Sequence, residues 1–135
     1  MKRLLVLIVA AVSILCFTGC GGKVSGVGIR EVKSDIYTFS DIDDAVDVVT
    51  SYFRRQFDGS ELVELWYVGD ETKEEYDALA AQYGVDEAIV LKSTFTTGHS
   101  GGDGSLNPND TYENWKWILI RDRDGAWSHA DHGYG

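Results

Sequence analysis

The sequence predicts one α+β domain, and three observations predict it. Hydrophobic residues make up 44% of the 135 and aromatic residues 12%, with a single proline, which is enough apolar surface to build one ordered core. Apolar side chains recur at helical spacing in two segments and run or alternate as strands in four others. Glycines gather in two stretches, Gly19 to Gly28 and Gly98 to Gly104, which read as a linker and a loop.

The elements follow in order. Ser40 reads as the N-cap of a first helix, with Asp43 at the third helical position. Ile42, Ala45, Val46, Val49, Tyr52, Phe53 and Phe57 make its apolar stripe, and Gly59 stops it. Asp41, Asp43, Asp44 and Asp47 near its start and Arg54 and Arg55 near its end both suit the helix dipole, so the acids read as a solvated helix start rather than a metal site. Leu62 to Val68 is a strand by length and by its β-branched and aromatic content. Thr72 and Glu75 have the spacing of a capping box, Tyr76, Leu79, Ala80 and Tyr83 form the stripe of a second helix, and Gly84 closes it. Three strands come last: Ala88 to Thr97, Trp115 to Arg121 and, after a turn at Asp124-Gly125, Ala126 to His132.

The first residues read as a targeting segment. Lys2 and Arg3 precede an apolar run from Leu4 to Phe17, which spans roughly 21 Å as a helix, short of a bilayer core of roughly 30 Å. Phe17-Thr18-Gly19-Cys20 resembles the lipobox of bacterial lipoproteins, in which small residues precede a cysteine that is lipidated. Residues 1–19 are thus expected to be a signal peptide, 20–33 a lipidated flexible tether and 34–135 the domain. Cys16 leaves with the leader, so Cys20 is the lipidation site and no intramolecular disulfide is expected. Loss of residues 1–19 removes two bases and no acid, leaving 10 Lys and Arg against 22 Asp and Glu, a net charge of −12. Such a surface excludes nucleic acid as a partner, because phosphates need cations. The expected localisation is the extracytoplasmic face of the cell membrane, held there by lipid on Cys20.

The stretches SDIDDAVDVVTSYF, ELWY, QYGVDEAIVLKS, GGDGSLNPNDTYENWKWILIR and HGYG resemble a family of small, uncharacterised lipoproteins of Gram-positive bacteria. The element order and the ending WKWILIRDRDGAWSHADHGYG resemble the cystatin-like or nuclear-transport-factor-2-like class. That resemblance implies a curved antiparallel sheet of about four strands packed on one long and one shorter helix. It implies little chemistry, because folds of this class host enzymes, binding modules and scaffolds alike.

Several constellations compete for function. Gly98-His99-Ser100-Gly101-Gly102 fits the G-x-S-x-G pattern of a nucleophilic serine, and Ser100, Asp110 and His129 could be written as a triad. That motif needs a helix after the serine, and GGDGSLNPND cannot start one, so no catalytic residue is assigned. Asp103, Ser105, Asn107 and Asn109, with Thr111, alternate oxygen-bearing side chains as calcium loops do, but Pro108 and Asn114 break the EF-hand pattern. They are therefore the candidate binding loop, with no metal and no cofactor expected. His129 and His132 are an odd number of residues apart, so on a regular strand they face opposite ways and cannot share one metal without a bulge. His129 and Asp131 would then share a face with Trp127. On the Trp115 to Arg121 strand both faces are apolar, with Trp115, Trp117 and Leu119 on one and Ile118 and Ile120 on the other. A covering element, a second copy in a homodimer or an envelope partner is expected over Ile118 and Ile120; the segment from Ile29 to Phe39 is the alternative cover. The expected function is a non-catalytic binding or protein-interaction module, with a small enzyme using a polar pocket near His129 and Asp131 as the alternative.

Overall fold

A computed structural model describes residues 21–102 and 104–134. Its elements are β1 (Gly28–Arg30), α1 (Phe39–Gln56), β2 (Glu61–Tyr67), α2 (Lys73–Tyr83), β3 (Glu87–Thr96), β4 (Thr111–Arg121) and β5 (Ser128–Gly133). The five strands form one open sheet in the order β1-β2-β3-β4-β5. The α+β class stands, but the sheet has five strands rather than about four and is mixed rather than antiparallel. The extra strand, β1, runs parallel to β2, while every other neighbouring pair is antiparallel.

β1 comes from the stretch whose glycines read as a flexible tether. Its backbone instead enters the fold at once: the Gly22 N–H donates to Arg54 O at 3.0 Å, the Lys23 N–H to Ser60 O at 2.8 Å, and the Leu62 N–H to Lys23 O at 2.9 Å. Gly22 is required by close approach, since a Cβ there would lie 2.5 Å from Phe53 O and 2.7 Å from the Phe53 ring. Val24, Val27 and Val32 then pack against the core. A glycine-rich composition permits a linker, but here it lets a chain lie flat against a helix end.

α1 carries the core. Ala45, Val46, Val49 and Phe53 are buried along one face, and Phe57 follows. The cap is Thr38 rather than Ser40: its hydroxyl accepts from the Asp41 N–H at 3.0 Å, and Asp41 accepts from the Thr38 N–H at 2.9 Å. This reciprocal pair satisfies two end donors and sets the helix entry. Burial works against the Asp41 charge, but these bonds and Arg121, at 3.0 Å, hold its carboxyl below the usual range. At α2 the expected capping box does not form. The Thr72 hydroxyl donates to the Tyr76 hydroxyl at 2.8 Å, and Tyr76 donates on to Gly69 O.

The sheet face toward the core carries Leu65, Tyr67, Ile89, Leu91, Phe95, Trp115, Trp117 and Leu119, all buried. Ser93 lies fully buried among them because the Trp117 Nε1–H donates to its hydroxyl at 2.8 Å, which meets the needs of both polar groups. Ile118 and Ile120 sit opposite Val90 and Ala88 on the second face. Val90 and Ala88 are each 1% exposed, and Ile118 and Ile120 are half-buried, so the chain itself covers much of that face. Glu75 at the start of α2 reaches Lys116 on this face at 2.8 Å, which places the first turn of α2 there. From the other expected cover, Tyr37 donates to the Ala88 carbonyl.

Candidate functional site

The functional geometry gathers on the core side of β5. Register opposes Ile118 to Asp131 but Leu119 to His129, so Ala130 is an extra residue: β5 carries a bulge. His129 and His132 therefore turn to the same face, and the expectation that they point apart is corrected. His129 Nε2 lies 2.9 Å from His132 Nδ1, one imidazole donating to the other. Asp131 is opposite Ile118 on the second face, and its carboxylate accepts from the His132 N–H at 2.8 Å. The expected sharing of a face by His129 and Asp131 is corrected with it.

α1 supplies the opposing wall. Tyr52 stacks on His129, with ring centroids 3.9 Å apart and planes at 12°, and Trp115 lies against His132 with centroids 5.9 Å apart and planes at 29°. Burial lowers the affinity of both imidazoles for protons, and for His129 the neighbouring His132 adds to the effect while Asp131 opposes it. Both rings are therefore neutral near pH 7, which leaves one N–H to bridge them.

Two cavities meet at Tyr52. One, of about 220 Å³, lies between the C-terminal end of α1 and the glycine-rich loop, with Phe57, Trp115 and His132 as walls, Gln56 at the rim and Gly102, Ser105 and Leu106 on the loop side. The other, of about 380 Å³, lies on the His129 side, where Asp47, Ser51, Arg55 and Ser128 bring polar and charged groups. Trp115 adds a further feature: it is 8% exposed, and among the described residues its Nε1–H has no hydrogen-bond partner. Buried donors are normally satisfied, so this shielded N–H is an exception, though it does not open onto the cavity.

The glycine-rich segment is a shaped loop. Gly101 needs its positive φ of 64°, and a Cβ there would stand 2.0 Å from Leu106 O. The Ser100 hydroxyl donates to Gly102 O at 2.9 Å, and no helix follows it among the described residues. Asn107 gives its carbonyl to the Thr97 hydroxyl at 2.6 Å and its side-chain amide to Asp110 at 3.3 Å, while Asn109, at φ 50°, donates its N–H to Gly98 O at 2.9 Å. These two candidates thus shape the loop. Of the candidate set, Ser105 lines a cavity, while Asp103 lies outside the described residues, as does Cys20. Among the described residues no three His, Cys, Asp or Glu side chains converge as a metal site, and no helix is long and apolar enough to cross a membrane.

Sequence reasoning missed Tyr52 and Gln56 as site residues, because a tyrosine at core spacing on a helix reads as packing. The signal that could have found the cleft is the pair of histidines near the chain's end, once a bulge is allowed. Comparison with models of protein families, with curated proteins and with solved structures finds no match.

Proposed function

We propose that this chain is a lipoprotein of the bacterial cell envelope, anchored through lipid on Cys20, and that it works as a binding module through the cleft at Tyr52. The cystatin-like or nuclear-transport-factor-2-like resemblance, with its curved sheet, and the kinship with small Gram-positive lipoproteins belong to the same reading. The observation that carries it is the cleft itself: two cavities open on either side of one tyrosine, walled by aromatic rings and two neutral imidazoles. Concave walls that set aromatic rings beside polar groups suit recognition. A nucleophile–base pair is a different arrangement, and the Ser100 hydroxyl is spent on its own loop. The anchor is supported by the order of basic residues, apolar run, small residues and cysteine at the start of the sequence. A diacylated cysteine makes a stable tether where one acyl chain does not.

Acyl labelling and fractionation of the full chain in a bacterial host test this reading. Wild type should be labelled and sediment with membranes; Cys20→Ala should lose the label and appear in the soluble fraction. Retention and labelling unchanged in Cys20→Ala would overturn the anchor.

A further inference from the structure

The larger cavity, of about 380 Å³, takes opposite charges from one helix. Asp47 and Arg55 both line it from α1, and they stand eight residues apart, about 12 Å of helix rise. They do not pair with each other, and among the described residues neither side chain has an ion-pair partner. Between them lie the Ser51 hydroxyl and the Tyr52 ring on the helix side, with Trp127 and Ser128 across the gap. Trp127 gives its N–H to Asp41 O at 3.0 Å, so its ring offers apolar surface. A simple anion would be drawn by Arg55 and repelled by Asp47, and a simple cation the reverse. A ligand that carries both charges, at opposite ends, is attracted at both.

The facing wall narrows the class further. β5 is the last strand of the sheet, and among the described residues no strand pairs with its outer side. The cavity lies against Ser128 and His129, the first residues of that edge. An open strand edge is a template for an extended backbone, whose amides pair with it. Of the molecules with a cation at one end and an anion at the other, a peptide with free termini also carries such a backbone.

We infer that this cavity binds a short peptide by its two free ends, the ammonium at Asp47 and the carboxylate at Arg55, with the peptide backbone along the edge of β5. The inference rests on the cleft at Tyr52 being a binding site and names its ligand class. Length follows from the helix. Taking two ion-pair contacts of about 2.8 Å each from about 12 Å leaves about 6 Å, the reach of two extended residues at roughly 3.3–3.6 Å each. A dipeptide therefore fits, and a single amino acid spans too little to meet both charges.

The test uses the full chain extracted from membranes in detergent, with binding read by isothermal titration calorimetry. The probes are alanyl-leucine, N-acetyl-alanyl-leucine, alanyl-leucine amide and leucine. Alanyl-leucine should bind saturably, and leucine and each capped form about fivefold more weakly, the upper range for one exposed ion pair. Asp47 and Arg55 are exposed on α1, so Asp47→Asn and Arg55→Gln keep the fold, which circular dichroism checks. Asp47→Asn should weaken alanyl-leucine about fivefold and leave the N-acetylated form unchanged. Arg55→Gln should weaken the free peptide equally and leave the amide unchanged. Asp43→Ala, on the solvated start of α1, should change nothing. No saturable binding of alanyl-leucine would overturn the inference, as would affinity unchanged in Asp47→Asn and Arg55→Gln. Capped forms that bind as well as the free peptide would overturn it too. If that binding is lost in a folded Tyr52→Ala, the cleft stays a binding site; if it is kept, the cleft reading falls as well.

Discussion

His129 and His132 show how little a residue's identity says before its neighbours are known. An imidazole in water titrates near pH 6.5, but both rings here resist protonation because burial removes solvent from the charged form. A second proton would also place two positive rings in contact at 2.9 Å. The sign of the effect on stability follows. The unfolded chain takes up these protons at about pH 6.5 and the folded chain only at lower pH, so below about 6.5 the unfolded state binds more protons. Stability from this pair is complete above about pH 6.5 and is lost as the pH falls toward the lowered folded values. Urea melts between about pH 7.5 and 5 should show this decline, and His132→Asn, which removes one titrating ring, should flatten the slope. An equal slope in the variant would place the pH dependence elsewhere.

The elements were legible where side chains repeat and obscure where the backbone departs from regularity. Val46, Val49 and Phe53 recur with the period of a helix, so α1 was legible, and Trp115, Trp117 and Leu119 alternate, so the core face of β4 was too. The helix start was misplaced by two residues because Ser40 with Asp43 and Thr38 with Asp41 have the same spacing, and only the folded chain selects between them. The bulge at Ala130 leaves no mark in composition, yet it decides which way His129 points, and with it most of the site. β1 was missed because three residues, Gly28-Ile29-Arg30, are too few to show a period, and their pairing is supplied by a distant strand. The α1 cap offers a clean measurement. Thr38→Ala removes the acceptor for the Asp41 N–H and should cost about 1 kcal/mol, read as a lowered denaturation midpoint. Ser40→Ala should cost only a few tenths.

The whole molecule departs most from its sequence at residues 21–30, where a tether was expected and an edge of the fold is found. Lys23 is held on both sides by backbone hydrogen bonds, and the Arg30 guanidinium lies 4.1 Å above the Trp66 ring centroid. Limited trypsin digestion should therefore spare the bonds after Lys23 and Arg30 while cutting the exposed turn at Arg123; rapid cleavage after Lys23 would restore the spacer. The same docking fixes where the cleft can act. Gly22 is bonded to Arg54 O, which lies between Tyr52 and Gln56 along α1. If Cys20, two residues earlier in the chain, carries the proposed lipid, the cleft would be built into the footing of the molecule, about 3 Å of helix rise from the bonded carbonyl, while the acidic start of α1 would stand about 20 Å farther off. Reach is then set by the width of the domain and not by any leash. On the proposed anchor, such a protein would sample what lies immediately against the bilayer, and material farther out would pass above it untouched.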